Sequence, residues 1–126
     1  MRAKALFPVA AVAAIAVLAS PIIAAPAKPS KDIQAAAAAP NRTDANKLRD
    51  TYRHPAETLA FFGLKPNQTI VEIWPGGGWY TEILAPFTKD KGRLIVVSPE
   101  GRATEGITKF LGTNPDAYGK VEKANF

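Results

Sequence analysis

Glu72 and three consecutive glycines, Gly76, Gly77 and Gly78, are the residues whose types and spacing could do chemistry. They belong to VEIWPGGGWYTEILA, residues 71–85. An apolar run, Ile70 to Trp74, enters the glycines, and Tyr80, Ile83, Leu84 and Phe87 follow at the spacing of one helical face. The stretch therefore reads as strand, tight turn, helix. Such a turn leaves backbone N–H groups free at a helix N-terminus, where the dipole favours anionic or electron-rich groups. Glycine permits unusual dihedrals and lets a ligand approach the backbone. Glu72 lies near the carboxyl end of the strand, where ligands of open α/β sheets bind, and an acid within an apolar strand needs a partner. The pattern reads as a nucleotide or nucleoside cradle.

The neighbouring elements would have to position that turn. Thr43 or Asp44 can cap a short polar helix to about Tyr52, and Pro55 suits the first turn of a helix to Phe62, stopped by Gly63. Leu59 and Phe62 are expected to face the core. The turn at residues 65–68 leads to a first strand, Thr69 to Trp74, and Pro75 restricts Trp74 to extended dihedrals. Pro86 is expected to end or kink the helix after the glycines. Leu94 to Val97 reads as a buried parallel strand. Ile107, Phe110 and Leu111 mark another helix, residues 113–116 a turn, and Val121 the start of a third strand. Strands alternating with helices argue for a parallel α/β sheet with right-handed crossovers. An open doubly wound sheet normally carries five or more strands, so the chain reads as the first half of such a domain, truncated after the second or third strand.

Composition narrows the setting. The chain has 126 residues, no cysteine and a single histidine, His54, which excludes thiolate and His-pair metal sites. Arg2 and Lys4 precede an apolar run, Ala5 to Leu18, and Ala25-Pro26-Ala27 fits a small-x-small cleavage site. That is the layout of a secretory signal peptide, and the run is shorter than the roughly 20 residues a spanning helix needs. The expectation is a signal peptide over 1–27, a flexible Ala/Pro-rich linker over 28–42 and a partial domain over 43–126, in a periplasmic or secreted protein that meets the membrane only through its export signal. Cleavage would remove Arg2 and Lys4 and lower the formal charge from +5 to +3. The remaining basic residues are not clustered, which argues against nucleic acid.

The glycine region resembles motif I of the class I, Rossmann-like S-adenosylmethionine-dependent methyltransferases. In that pattern an acid near the end of the first strand is followed by glycines two, four and six positions on. Glu72 holds the acidic position, Gly76 and Gly78 the second and third glycines, and Trp74 stands where the first would be. The blocks RDTYRHPAETLAFFGLKP (49–66) and VEIWPGGGWYTEILAP (71–86) together resemble exported bacterial members of that family, over about residues 43–126. The resemblance implies S-adenosylmethionine as cofactor and methyl transfer to an acceptor it does not specify. It implies that Gly76, Gly77 and Gly78 approach the methionine part and sugar, and that Glu72 anchors the turn or reaches the cofactor's amino group through water. An acid after the second strand would take the ribose hydroxyls; Glu100 is the nearest, two residues late. Tyr52, Arg53 and His54 form a loop that could close over cofactor or substrate, and Trp74, Trp79 and Tyr80 could stack on an adenine, although aromatics beside a strand more often belong to the core. No residue is marked as a general base.

Two other readings compete. Gly76-x-Gly78-x-x-Thr81 is also a dinucleotide pattern with threonine at the third glycine, a position that needs close helix–strand packing. The other is a non-catalytic exported protein that uses a Rossmann-like half for binding, its sheet edge inviting association.

Overall fold

The computed structural model describes residues 27–126. The signal peptide assigned to 1–27 thus lies, Ala27 aside, outside the described residues. The described elements are α1 (Lys31–Ala37), α2 (Asp44–Lys47), α3 (Asp50–Arg53), α4 (Pro55–Phe61), β1 (Thr69–Ile73), α5 (Thr81–Thr88), β2 (Arg93–Ser98), α6 (Arg102–Gly112), α7 (Pro115–Tyr118) and β3 (Glu122–Asn125). The three strands form one parallel sheet in the order β1-β2-β3, with Val71 opposite Ile95 and Val97 opposite Ala124. This α/β arrangement is consistent with one half of a Rossmann-like fold.

The sheet is covered on one face. Side chains alternate across a strand, and along β2 Leu94, Val96 and Ser98 are buried while the residues between them are only partly covered or exposed. Leu94 and Val96 join Ile83, Leu84 and Phe87 of α5 and Ile107 and Leu111 of α6 in one core. Val71, Ile73, Ile95 and Val97 lie on the opposite face by parity, and Ile73 is 70 % exposed. At its carboxyl end Trp74 and Phe126 sit with ring centroids 6.4 Å apart, 63 % and 65 % exposed.

Residues 28–42 are not the flexible linker expected of them. Ser30 caps α1, its side chain accepting from the Ile33 amide at 3.2 Å, and Ile33 and Ala36 enter the core. These two residues are one helical turn apart, and alanine's small side chain lets α1 approach both α4 and α5. The polar helix expected to run to Tyr52 is broken into α2 and α3. Leu59 is buried as expected, but Phe62 is 67 % exposed, because α4 ends before it and Gly63 turns the chain at φ +66.

Pro86 neither ends nor breaks α5, which continues to Thr88. Its ring removes the N–H that would bond the Glu82 carbonyl. Asn41 takes that carbonyl instead, its Nδ2 donating at 2.9 Å. The segment before α2 is thereby tied to the first turn of α5.

Candidate functional site at the glycine turn

The turn from Trp74 to Tyr80 joins the carboxyl end of β1 to α5. Glu72, on the covered face of β1, accepts a hydrogen bond from Thr81 Oγ1 at 2.7 Å. Burial pushes the Glu72 carboxyl above its ordinary value of 4.5, and hydrogen bonds from the Thr81 hydroxyl and backbone partly offset this. The strand is thus clamped to the helix across the turn, and the threonine at the third glycine position serves as the clamp's other half.

The backbone within the turn is unusual at three positions. Gly76 and Gly78 take φ of +56 and +80, and Trp74 takes +57. The extended conformation expected of Trp74 is therefore wrong. The tryptophan occupies the left-handed conformation that a glycine would adopt without strain. Its amide remains in the sheet, donating to the Val97 carbonyl at 2.8 Å. A Cβ on Gly78 would lie 2.6 Å from the Phe110 ring, whereas Gly76 and Gly77 face open space. Among the described residues the amides of Gly76 and Gly77 have no hydrogen-bond acceptor. They are the part of the turn that a ligand can reach.

A second set of residues holds the start of α5 from the other side. Arg42 is buried, and its guanidinium donates to both Asp50 carboxylate oxygens, at 2.5 and 2.8 Å, and to the Ala37 carbonyl. Its Nε lies 3.8 Å from Glu82 Oε2 and has no hydrogen-bond partner. Glu82, fully buried, accepts instead from the Thr43 hydroxyl and amide at 2.9 and 3.2 Å. Trp79 is buried, its indole N–H donating to the Asn46 carbonyl at 2.9 Å. Three guanidiniums surround its ring: Arg53 at 4.4 Å from the centroid, Arg49 at 5.8 Å and Arg42 at 5.9 Å. Trp79 is thus unavailable to stack on an adenine, and Tyr80, whose ring meets it edge-on at 4.4 Å, packs against the core.

The expected site residues separate into those brought together and those kept apart. Glu72 and Gly76 to Gly78 share the turn, and Arg53 reaches it through Trp79. Tyr52 is exposed, and His54 forms the left-handed junction between α3 and α4 at φ +42. Glu100 is exposed in the turn after β2, and no hydrogen bond or ion pair among the described residues ties it to the glycines. The buried side chain at the end of β2 is Ser98, which pairs with Thr104 at 3.1 Å. Sequence reasoning missed Arg42, Asp50 and Glu82. The acids in the first turns of α3 and α5 were visible, but their pairing with Arg42 is brought about only by the fold.

Two cavities lie elsewhere among the described residues. One of about 280 Å³ is lined by α1, Pro66, Pro86 and Asp90, and another of about 450 Å³ by Pro40, Lys89 and Asn114. Pro66 and Asp90 precede β1 and β2, so the first cavity is at the amino end of the sheet, away from the glycines. The unpaired amides, not cavity size, mark the site. No known family model matches the chain, and neither a curated protein nor a solved structure is similar to it.

Proposed function

We propose that the glycine turn binds the nucleoside cofactor S-adenosylmethionine and that the chain is one half of a Rossmann-like methyltransferase domain. The observation that carries this reading is the pair of exposed amides, Gly76 and Gly77, standing without acceptors at the carboxyl end of β1 beside the Glu72–Thr81 clamp. Free N–H groups at the start of a helix suit electron-rich ligand atoms, and absent side chains let those atoms come close. Such an enzyme works mainly by holding methyl donor and acceptor in line. Further strands beyond β1 and a cover for the second sheet face would complete the domain. Calorimetric titration with S-adenosylhomocysteine tests the reading: saturable one-to-one binding supports it, and no heat of binding at millimolar ligand overturns it.

A second reading has its own observation. The face bearing Val71, Ile73, Trp74 and Phe126 is apolar and uncovered, as it would be in a non-catalytic interaction protein of the same fold. Contiguous exposed apolar patches mark interaction sites. Sedimentation velocity of the wild type against Ile73→Lys separates the readings: loss of a larger species in the variant, with no nucleoside binding by either, favours the interaction protein.

A further inference from the structure

We propose that Arg49 and Arg53, stacked about Trp79, form a receptor for a carboxylate or phosphate group of a ligand held at the glycine turn. The inference rests on the cofactor reading above for its setting, while its own basis is the arginine cluster. Three guanidiniums lie within 6 Å of one indole ring. Arg42 alone has acidic partners, Asp50 and Glu82. Arg49 and Arg53 are exposed and pair with no carboxylate among the described residues. Two unneutralised charges therefore remain around a ring that immediately follows Gly78.

Arginine covers an indole with its apolar stem and is attracted to the ring face, but two such groups without a carboxylate partner also concentrate positive charge beside the turn. Both guanidiniums lie within 6 Å of one ring centroid, and like charges gathered in one neighbourhood repel, a cost that a bound anion relieves. Stacking also prepares the group for binding. A guanidinium lying over an aromatic face is held electrostatically by the ring. Its in-plane N–H groups stay available as a fork that matches carboxylate and phosphate oxygens. The ring is itself fixed by its bond to the Asn46 carbonyl, so less side-chain freedom is lost when the anion arrives. The unpaired amides of Gly76 and Gly77, three and two residues before Trp79, supply donors that likewise favour an anion.

Two sources could supply the anion: the amino-acid carboxylate of the cofactor, or an acidic group on a separate methyl acceptor. The test is a heteronuclear NMR titration of the full chain with inorganic phosphate, following the arginine Nε–H and tryptophan indole resonances, with Trp74→Phe used to assign Trp79. The expected result is a saturable shift of Trp79 and Arg53, weakened about tenfold or more in Arg49→Gln/Arg53→Gln, a change of about 1.4 kcal/mol. Arg53→Lys, which keeps the charge but loses the fork, should fall between the two and serves if the double variant does not fold. Absence of a saturable shift in the wild type, or equal affinity in a folded double variant, would overturn the proposal. Parallel titrations with S-adenosylhomocysteine and with 5′-methylthioadenosine, which lacks the carboxylate, separate the sources. Weakening of the first alone assigns the anion to the cofactor. Weakening of phosphate with both nucleosides unchanged assigns it to the acceptor. A chain that binds phosphate but neither nucleoside would defeat the cofactor reading and leave the anion receptor standing.

Discussion

Gly76 and Gly78 are two residues apart and share a left-handed backbone, yet they face different things. Gly78 is pressed against the Phe110 ring, next to Trp79 under its arginines and Thr81 bound to Glu72. Gly76, with Gly77, faces open space. A glycine-rich turn thus has an inner half consumed by packing and an outer half left open. A motif read as one unit is, physically, two. Substitutions in the inner half should cost stability, and substitutions in the outer half should cost binding.

The largest effect is expected at the buried charges behind the inner half. Arg42→Ala leaves Glu82 buried and Asp50 partly buried without their countercharge, and removing one partner of a buried pair costs about 3–5 kcal/mol. Urea denaturation would measure it, and a loss below about 1 kcal/mol would show that Arg42 does not hold the start of α5. Next comes Gly78→Ala. A Cβ 2.6 Å from Phe110, on a backbone at φ +80, combines overpacking with a left-handed penalty. About 2–4 kcal/mol is expected, with partial recovery on adding Phe110→Ala, since only the overpacking is relieved.

Glu72→Gln should alter the pH profile more than the magnitude of stability. Burial raises the Glu72 pKa in the folded state, so between its ordinary value of 4.5 and the raised value the native state binds more protons than the unfolded state. Stability contributed by this group is full below 4.5 and is lost as pH rises through the folded pKa. Thermal melts across that window should fall with rising pH more steeply in the wild type than in the glutamine variant. Equal slopes would mean that the clamp leaves Glu72 no harder to ionise than in the unfolded chain. The smallest stability change belongs to the outer half: Gly77→Ala, in open space and with no left-handed φ, should stay within about 0.5 kcal/mol of the wild type.

The sheet was legible in the sequence because two largely apolar segments of strand length, Ile70 to Trp74 and Leu94 to Val97, are bounded by turns; that only one face is covered, leaving Ile73 exposed, was not. The glycine turn and the face of α5 were legible for a similar reason, since each is a local pattern. Helix α1 was not. Five consecutive alanines carry no periodic apolar signal, and only Ser30 before Lys31 and Asp32 hinted at a capped start. The conformation of Trp74 was misjudged because the preference of a residue before proline is weaker than the demand of the turn, which places a left-handed residue there whatever its side chain. Arg42 escaped notice because its partners lie eight and forty residues away, and only the fold brings them together. Of the two roles open to Trp79, stacking on a ligand or packing in the core, the structure gives the second, with arginines over its ring.

The central claim is that the outer half of the turn binds a nucleoside cofactor. It is tested most directly by a thermal melt of the wild type and Gly77→Ala, each with and without S-adenosylhomocysteine. At a hundredfold excess over the dissociation constant a ligand adds about 2.7 kcal/mol to the folded state. The account predicts equal melting temperatures for the two proteins alone and an upward shift with ligand in the wild type that is lost or reduced in the variant. No shift in a cooperatively melting wild type, or an equal shift in both, would contradict it.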